Sequence, residues 1–384
     1  MRRIRAAAAV AATCLIACSI PGPTAPSTPA AGTSPSTQLI DVTATKAADL
    51  RTRLDLLLGE QVVIVAKESV AAAYETDAYP GYVALLGTNA SALGNLLRQG
   101  FGNTSASMLE TSWSQLNRDL VEYAVGLVTH KQDQADSSSA DVTNAVVPAL
   151  SALVSRLAHV PGAQITQLLT QQVLDTKLVI EDAVGQSFPK FYTDLHVVYA
   201  QSPRLGDLLA GRMAQLFPDK FPGDSAIQAV TLRVSLNLLL QEHAYLASMT
   251  TDATIAGRGA DAAAAAAELQ TNAISLSAVF TDLFGASAGK QLGLLWSARD
   301  AALLDYASGV ATSTVTLTQD FVAGFSPLAH VAPALVSDQA RAAVAVIDDQ
   351  RAKSFGALAG DDRAAATALE PVADAMATAA SVQG

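Results

Sequence analysis

Past residue 18 this 384-residue chain contains no cysteine; its two, Cys14 and Cys18, both lie near the start. The bulk of the protein therefore has no thiol for disulfides, redox chemistry or thiolate metal ligation. Basic clusters are missing as well. After Arg2, Arg3 and Arg5 no run of lysine or arginine recurs, and the formal charge is −11, which excludes nucleic acid as a partner. Charged residues make up only 15% and aromatics 5%, whereas half of the chain is hydrophobic, a composition for packed helices rather than a disordered acidic segment. No phosphate-binding glycine loop, Walker pattern or dinucleotide fingerprint occurs. Nor does any glutamate have a histidine three residues later, the pair with which ferritin-like bundles hold iron or manganese.

What the chain does have begins at its N-terminus. Met1-Arg-Arg-Ile-Arg5 is a positive segment, and the apolar run Ala6 to Ala17 is too short to span a bilayer as a helix. Residues 1–17 therefore read as a signal peptide. Leu15-Ile16-Ala17-Cys18 resembles the bacterial lipobox, and that resemblance implies cleavage before Cys18 and acylation of its sulfur. Removing the three arginines takes the charge from −11 to −14. From Ser19 to Gln38 there is no charged residue, and five prolines sit among Ser, Thr, Gly and Ala, so residues 18–46 are expected to be a lipidated cysteine followed by a disordered tether. The expected location is the extracytoplasmic face of the cell membrane, with membrane lipid reached through Cys18.

The remaining chain shows helical periodicity nearly throughout, as in Leu50, Leu54, Leu57, Gln61 and Ile64, and no convincing strand alternation, so the expected class is all-α. Breaks are expected at Tyr79–Gly81, Gly100–Asn103, Gln134–Ser139, Val160–Gly162, Phe188–Pro189, Ser202–Pro203 and Phe217–Gly223. They divide the chain into about six helices before Gly223 and about six after.

An internal repeat runs through these helices. The stretch Leu50 to Glu60 matches Leu232 to Glu242 at an offset of 182. Thr88-Asn89, Phe101-Gly102, Trp113-Ser114 and Tyr123-Ala124 match Thr271-Asn272, Phe284-Gly285, Trp296-Ser297 and Tyr306-Ala307 at an offset of 183. Leu157-Ala-His159-Val recurs as Leu328-Ala-His330-Val at 171, so the second copy lacks about a dozen residues, assigned to the polar stretch Gln132 to Ser139. Collinear matches of this extent point to two tandem copies of one helical-bundle unit, 47–223 and 224–384.

Polar residues present in both copies are the candidates for function. Glu60 has Leu56, Leu57, Val63 and Ile64 on its adjacent turns, and Glu242 has Leu238, Leu239, Tyr245 and Leu246. A carboxylate so placed is expected inside the bundle, where it needs a donor or a proton. Tyr123 and His159 in the first copy, and Tyr306 and His330 in the second, are the donors expected to meet it. The set Glu60, Glu242, Tyr123, Tyr306, His159 and His330 reads either as buried polar pairs that fix helix register or as a ligand site in each bundle. His243, beside Glu242, stands where the other copy has Gln61; Asp194 and His196 do not share a helical face, and His130 is expected in solvent. Gly285-Ala-Ser287-Ala-Gly289 fits the hydrolase pattern Gly-x-Ser-x-Gly, but that elbow follows a strand, and here a helix precedes it, so Ser287 reads as a helix cap. Trp113 and Trp296 are expected in the core.

The Leu-rich helix ending in Glu60-Gln61 or Glu242-His243, together with Gln215-Leu-Phe-Pro-Asp-Lys-Phe221, resembles an uncharacterised group of exported bacterial helical-repeat proteins. Some carry an acetylglutamate-kinase name, for which this chain has neither strand–helix alternation nor phosphate loops. The expectation is a non-enzymatic, membrane-anchored binding or structural envelope protein without a cofactor, whose partner is an unidentified protein or small ligand. The alternative is a metal- or cofactor-binding bundle using Glu, His and Tyr in each copy.

Overall fold

A computed structural model describes residues 44–383. The signal peptide, Cys18 and nearly all of the tether lie outside the described residues. Every regular element within them is helical: α1 (Lys46–Ala73), α2 (Tyr79–Val128), α3 (Gln132–Asp141), a π turn (Val142–Val146), α4 (Val147–Ala158), α5 (Gly162–Val184), α6 (Phe188–Gln201), α7 (Pro203–Leu216), α8 (Gln228–Ile255), α9 (Gly259–Ala307), α10 (Val315–Ala329), α11 (Pro333–Ala352), α12 (Phe355–Thr367) and α13 (Glu370–Gln383). None of them is long and apolar enough to cross a membrane.

Helix starts follow from local chemistry. Thr45 caps α1 by accepting from the Ala48 amide at 3.2 Å. Prolines at the first turns of α2, α6 and α7 stop the preceding segment and begin the next, because proline lacks the amide a helix interior needs and presets φ for a first turn. The expected breaks at Pro80, Pro189 and Pro203 fall there. The break expected at Gln134–Ser139 does not exist: these residues lie within α3, which is held because Ala135 is fully buried against Gly126 of α2. A polar composition concealed that one buried face.

The two longest helices are each folded in half. α2 turns at Gly102 (φ 79°, ψ 171°) and α9 at Gly285 (φ 80°, ψ 166°). This backbone region is nearly closed to residues with a Cβ. Contacts across each turn are antiparallel: Ser91 donates to Glu110 at 2.8 Å in α2, and Gly293 lies against Ser277 in α9. Each is thus a helical hairpin with a single-glycine corner, and Ser287 is an exposed side chain just beyond the second corner.

α1 and α8 run side by side in the same direction through the middle of the molecule, since Asp49 meets Arg233, Glu60 meets Tyr245 and Lys67 meets Ser248 in sequence order. Around them the apolar cores of the two halves interpenetrate. One cluster joins Val62, Tyr192 and Tyr199 to Tyr245, Leu246 and Leu269. Another is confined to the second half, where Trp296, 2% exposed, packs among Phe280, Phe321 and Phe325 at centroid distances of 5.5–6.1 Å. Trp113 is buried as well. Residues 41–384 form one compact unit, so the loop at Phe217–Gly223 divides the sequence but not the body.

Candidate functional site

Glu60 and Glu242 are both buried, each 3% exposed. Helical spacing puts leucine and valine on their adjacent turns, and the parallel α1–α8 pair brings both into the seam between the halves. Each accepts from an asparagine that also bridges back to the glutamate's own helix. Asn89 donates to Glu60 Oε2 at 2.8 Å and to the Leu57 carbonyl at 2.9 Å. Asn272 donates to Glu242 Oε2 at 2.8 Å and to the Leu239 carbonyl at 3.1 Å.

The remaining partners come from the opposite half. Tyr245 donates to Glu60 Oε1 at 3.0 Å, and Arg363 on α12 lies 3.0 Å from Glu60 Oε2. His196 on α6 donates through Nδ1 to Glu242 Oε1 at 2.7 Å, and this hydrogen bond raises the imidazole's pKa above its ordinary value. Glu268 approaches the same Nδ1 at 3.8 Å, and burial raises its carboxyl.

The expected donors are elsewhere. Tyr123 is buried but donates to Glu181 at 2.6 Å, and Tyr306 donates to Asp348. His159 and His330 are exposed, and each terminates a helix in the left-handed conformation at φ 55°, with its own amide donating to the carbonyl of Ser155 or Ser326. The repeated Leu-Ala-His-Val is therefore a helix stop. Tyrosine, histidine and glutamate do not converge within a copy as a ligand set, and among the described residues no group of three or more His, Cys, Asp or Glu side chains could hold a metal ion.

One polar cluster beside Glu242 differs between the halves. His243 is 1% exposed, and its Nδ1 lies 3.0 Å from Asn272 Oδ1. Its Nε2 is 2.9 Å from the Trp296 indole nitrogen and 3.0 Å from Asp300 Oδ1. An indole N–H can only donate, so Nε2 accepts from it and Nδ1 carries the proton toward Asn272. Asp300 takes its hydrogen bond from Arg299 at 3.2 Å. In the first half, Gln61 donates to Asn117 at 3.1 Å, and both the Trp113 indole N–H and Asn89 Oδ1 are left without partners.

Further along the seam, Lys67 of α1 lies 2.6 Å from Asp362 of α12 and donates to Ser248 of α8 at 2.8 Å. Tyr82 and Ser248 also donate to Asp362. A lysine beside a serine suggests a nucleophile, but this Ser248 hydroxyl is committed to a carboxylate, and the adjoining cavity of ≈ 30 Å³ has room for little more than a water. What this cluster can do is hold α1, α2, α8 and α12 in register.

Space opens beside Glu60. A cleft of ≈ 430 Å³ between α1, α2, α8, α12 and α13 has Glu60 and Arg363 in its wall, with Arg53, Leu57, Leu96 and Glu370 among the other lining residues. Burial raises the Glu370 carboxyl to about 6, against the opposing pull of Arg53. Arg53, Leu96 and Gln99 also line an adjoining cavity of ≈ 510 Å³, which carries Lys46 and Lys220. Sequence reasoning found the glutamates through their apolar neighbours. It missed His196, Tyr245 and Arg363 as partners of the glutamates; for His196 and Arg363 the one sequence signal is a shared spacing, since they differ by 167, as do Asp207 and Asp374. No known protein family, curated protein or solved structure matches this chain.

Proposed function

We propose that this is an exported, lipid-anchored binding protein whose internally duplicated helical body carries one ligand cleft at the seam of its copies. The observation that carries the binding reading is the ≈ 430 Å³ cleft, a size typical of small-molecule sites, lined by both apolar and charged side chains. The Lys67–Ser248–Asp362 cluster is satisfied internally, and the cavities beside it measure only ≈ 30 and ≈ 20 Å³. The reading is of a protein that binds rather than transforms, since no lining residue is paired with an activating base.

Duplication is supported by the sequence offsets and by the recurrence of whole hydrogen-bond patterns, Asn89–Glu60–Leu57 and Asn272–Glu242–Leu239. Anchoring is supported by Leu15-Ile16-Ala17-Cys18 after a short apolar run. An acyl chain contributes about 0.8 kcal/mol per buried methylene, and stable attachment takes more than one chain. Cys18→Ser should move the protein out of the washed membrane fraction, and retention of that variant through a high-salt wash would refute the anchor. Native mass spectrometry of protein purified from its own membranes should detect a small ligand in the wild type that is lost when Ala92→Trp fills the cleft. Equal retention by both would refute the cleft.

A further inference from the structure

The inventory of used and unused hydrogen-bonding groups in the cleft defines what it can take. Glu60 is largely committed: Oε2 serves Asn89 and Arg363, Oε1 accepts from Tyr245, and the Arg363 guanidinium already balances its charge. The donors are in surplus. Arg53 is exposed and, among the described residues, makes no hydrogen bond or ion pair, so its guanidinium hydrogens are free for a ligand while its charge is shared with the Glu370 carboxyl of the same cleft. Arg363 spends one nitrogen on Glu60 and retains the others. Gln241 accepts from Tyr199 through Oε1 at 2.9 Å and leaves its amide nitrogen unused. Between these donors the wall is hydrocarbon, from Leu56, Leu57 and Leu96.

This arrangement occurs on one side only. The residue corresponding to Arg53 in the other half is Ser235, and Pro203 corresponds to Glu370. There, too, the Tyr199 ring packs at 2.8 Å from where a Cβ on Gly59 would sit, filling the place beside α1. Two copies of one unit have thus kept a shared scaffold, and one side has acquired a guanidinium pair over an apolar wall.

We propose that the cleft binds an amphipathic organic anion, its carboxylate held by Arg53 and Arg363 and its hydrocarbon body laid against Leu56, Leu57 and Leu96. A planar guanidinium fork matches a carboxylate in two parallel hydrogen bonds, and the leucine wall supplies affinity that grows with chain length. This rests on the cleft being a binding site, and the test separates the two claims.

The experiment is isothermal titration of the intact lipoprotein in nanodiscs, with empty nanodiscs as the blank, using hexanoate, octanoate, octylamine and 1-octanol. Octanoate should bind at one site per chain, more tightly than hexanoate, and octylamine should not bind. Arg53→Ala should weaken octanoate by at least about tenfold and Arg53→Lys by less, because a lysine keeps the charge but not the fork. Octylamine binding as well as octanoate, an Arg53→Ala variant that binds normally, or no binding of either carboxylate would each overturn the anion. If Ala92→Trp expels a co-purifying molecule that is not an anion, the cleft stands and the ligand class falls. If wild type and Ala92→Trp both come through purification empty and neither binds any probe, both fall.

Discussion

His196 and Arg363 hold each other's glutamates. His196 in the first half donates to Glu242 at 2.7 Å, and Arg363 in the second lies 3.0 Å from Glu60. The same exchange occurs near the helix starts, where Arg51 donates to Thr231 and Arg233 to Asp49, while Arg51 also pairs with Asp207 and Arg233 with Asp374. Each half completes the other's buried charge, so the seam is built from reciprocal hydrogen bonds on an apolar frame.

Glu60 should therefore tolerate loss of charge better than loss of oxygen. Glu60→Gln keeps an acceptor for Tyr245 or Arg363, whereas Glu60→Leu leaves Arg363, Asn89 and Tyr245 without their shared partner. Urea denaturation should show Leu costing about 3–5 kcal/mol and Gln distinctly less. Equal stability of Leu and wild type would show that the glutamate has no structural role.

Replacing His243 removes the group that satisfies both Trp296 and Asn272. His243→Gln should cost about 1–3 kcal/mol, the usual loss when a buried donor and acceptor go unpaired. The matching change in the first half has the opposite sense. Gln61→His offers a ring nitrogen to each of the two orphaned groups, Trp113 Nε1 and Asn89 Oδ1, and should be tolerated at a cost below that of His243→Gln. Thermal melts of the two variants side by side test the ordering.

The glycine corners should resist substitution. Gly102→Ala and Gly285→Ala each force a Cβ into a backbone region reserved for glycine, at a cost of about 1–3 kcal/mol, although no neighbouring atom blocks the methyl. Because sterics with neighbours are absent, Gly102→Ser should cost the same as Gly102→Ala, and a much larger loss for Ser would implicate packing in place of backbone strain.

Glu68 sets a pH dependence. It is fully buried, its Oε1 has no partner, and burial raises its carboxyl from 4.5 to about 8. The folded chain keeps this proton where the unfolded chain releases it, so folded Glu68 binds more protons than unfolded Glu68 between those values. Its contribution to stability is fully present below pH 4.5 and falls as pH rises toward 8. Glu68→Gln should flatten that slope and stabilise the protein by about 2–4 kcal/mol near pH 7.5. A wild-type slope unchanged by the substitution would show that Glu68 titrates normally.

Much of this fold is legible in the chain because helix periodicity and proline positions are local signals. Leu50, Leu54 and Ile64 mark the buried face of α1, and Pro189 and Pro203 mark its successors. The burial of Glu60 and Glu242 is legible for the same reason. Their partners are not, since Tyr245, Arg363 and His196 reach them only through the packing of one half of the chain on the other, which no local spacing encodes. Tyr123 and His159 looked suitable because both recur, but recurrence marks what a fold needs as readily as what a site needs. For His159 and His330 the need is a left-handed helix stop. Gln132 to Ser139 hides its helix behind its composition, a polar run whose buried face is only Ala135 and Ser138.

The placement of α1 has a mechanical consequence. The chain enters the described body at Lys46 and passes straight into a helix flanked by α2, α5, α6, α7 and α8. A pull on the residues before it is transmitted to the centre of the molecule, along the axis of α1, and is resisted by sliding against several neighbours at once. Terminal helices at the edge of a bundle peel away one turn at a time under such a load; this one must be drawn lengthwise past Glu60, Lys67 and their partners together.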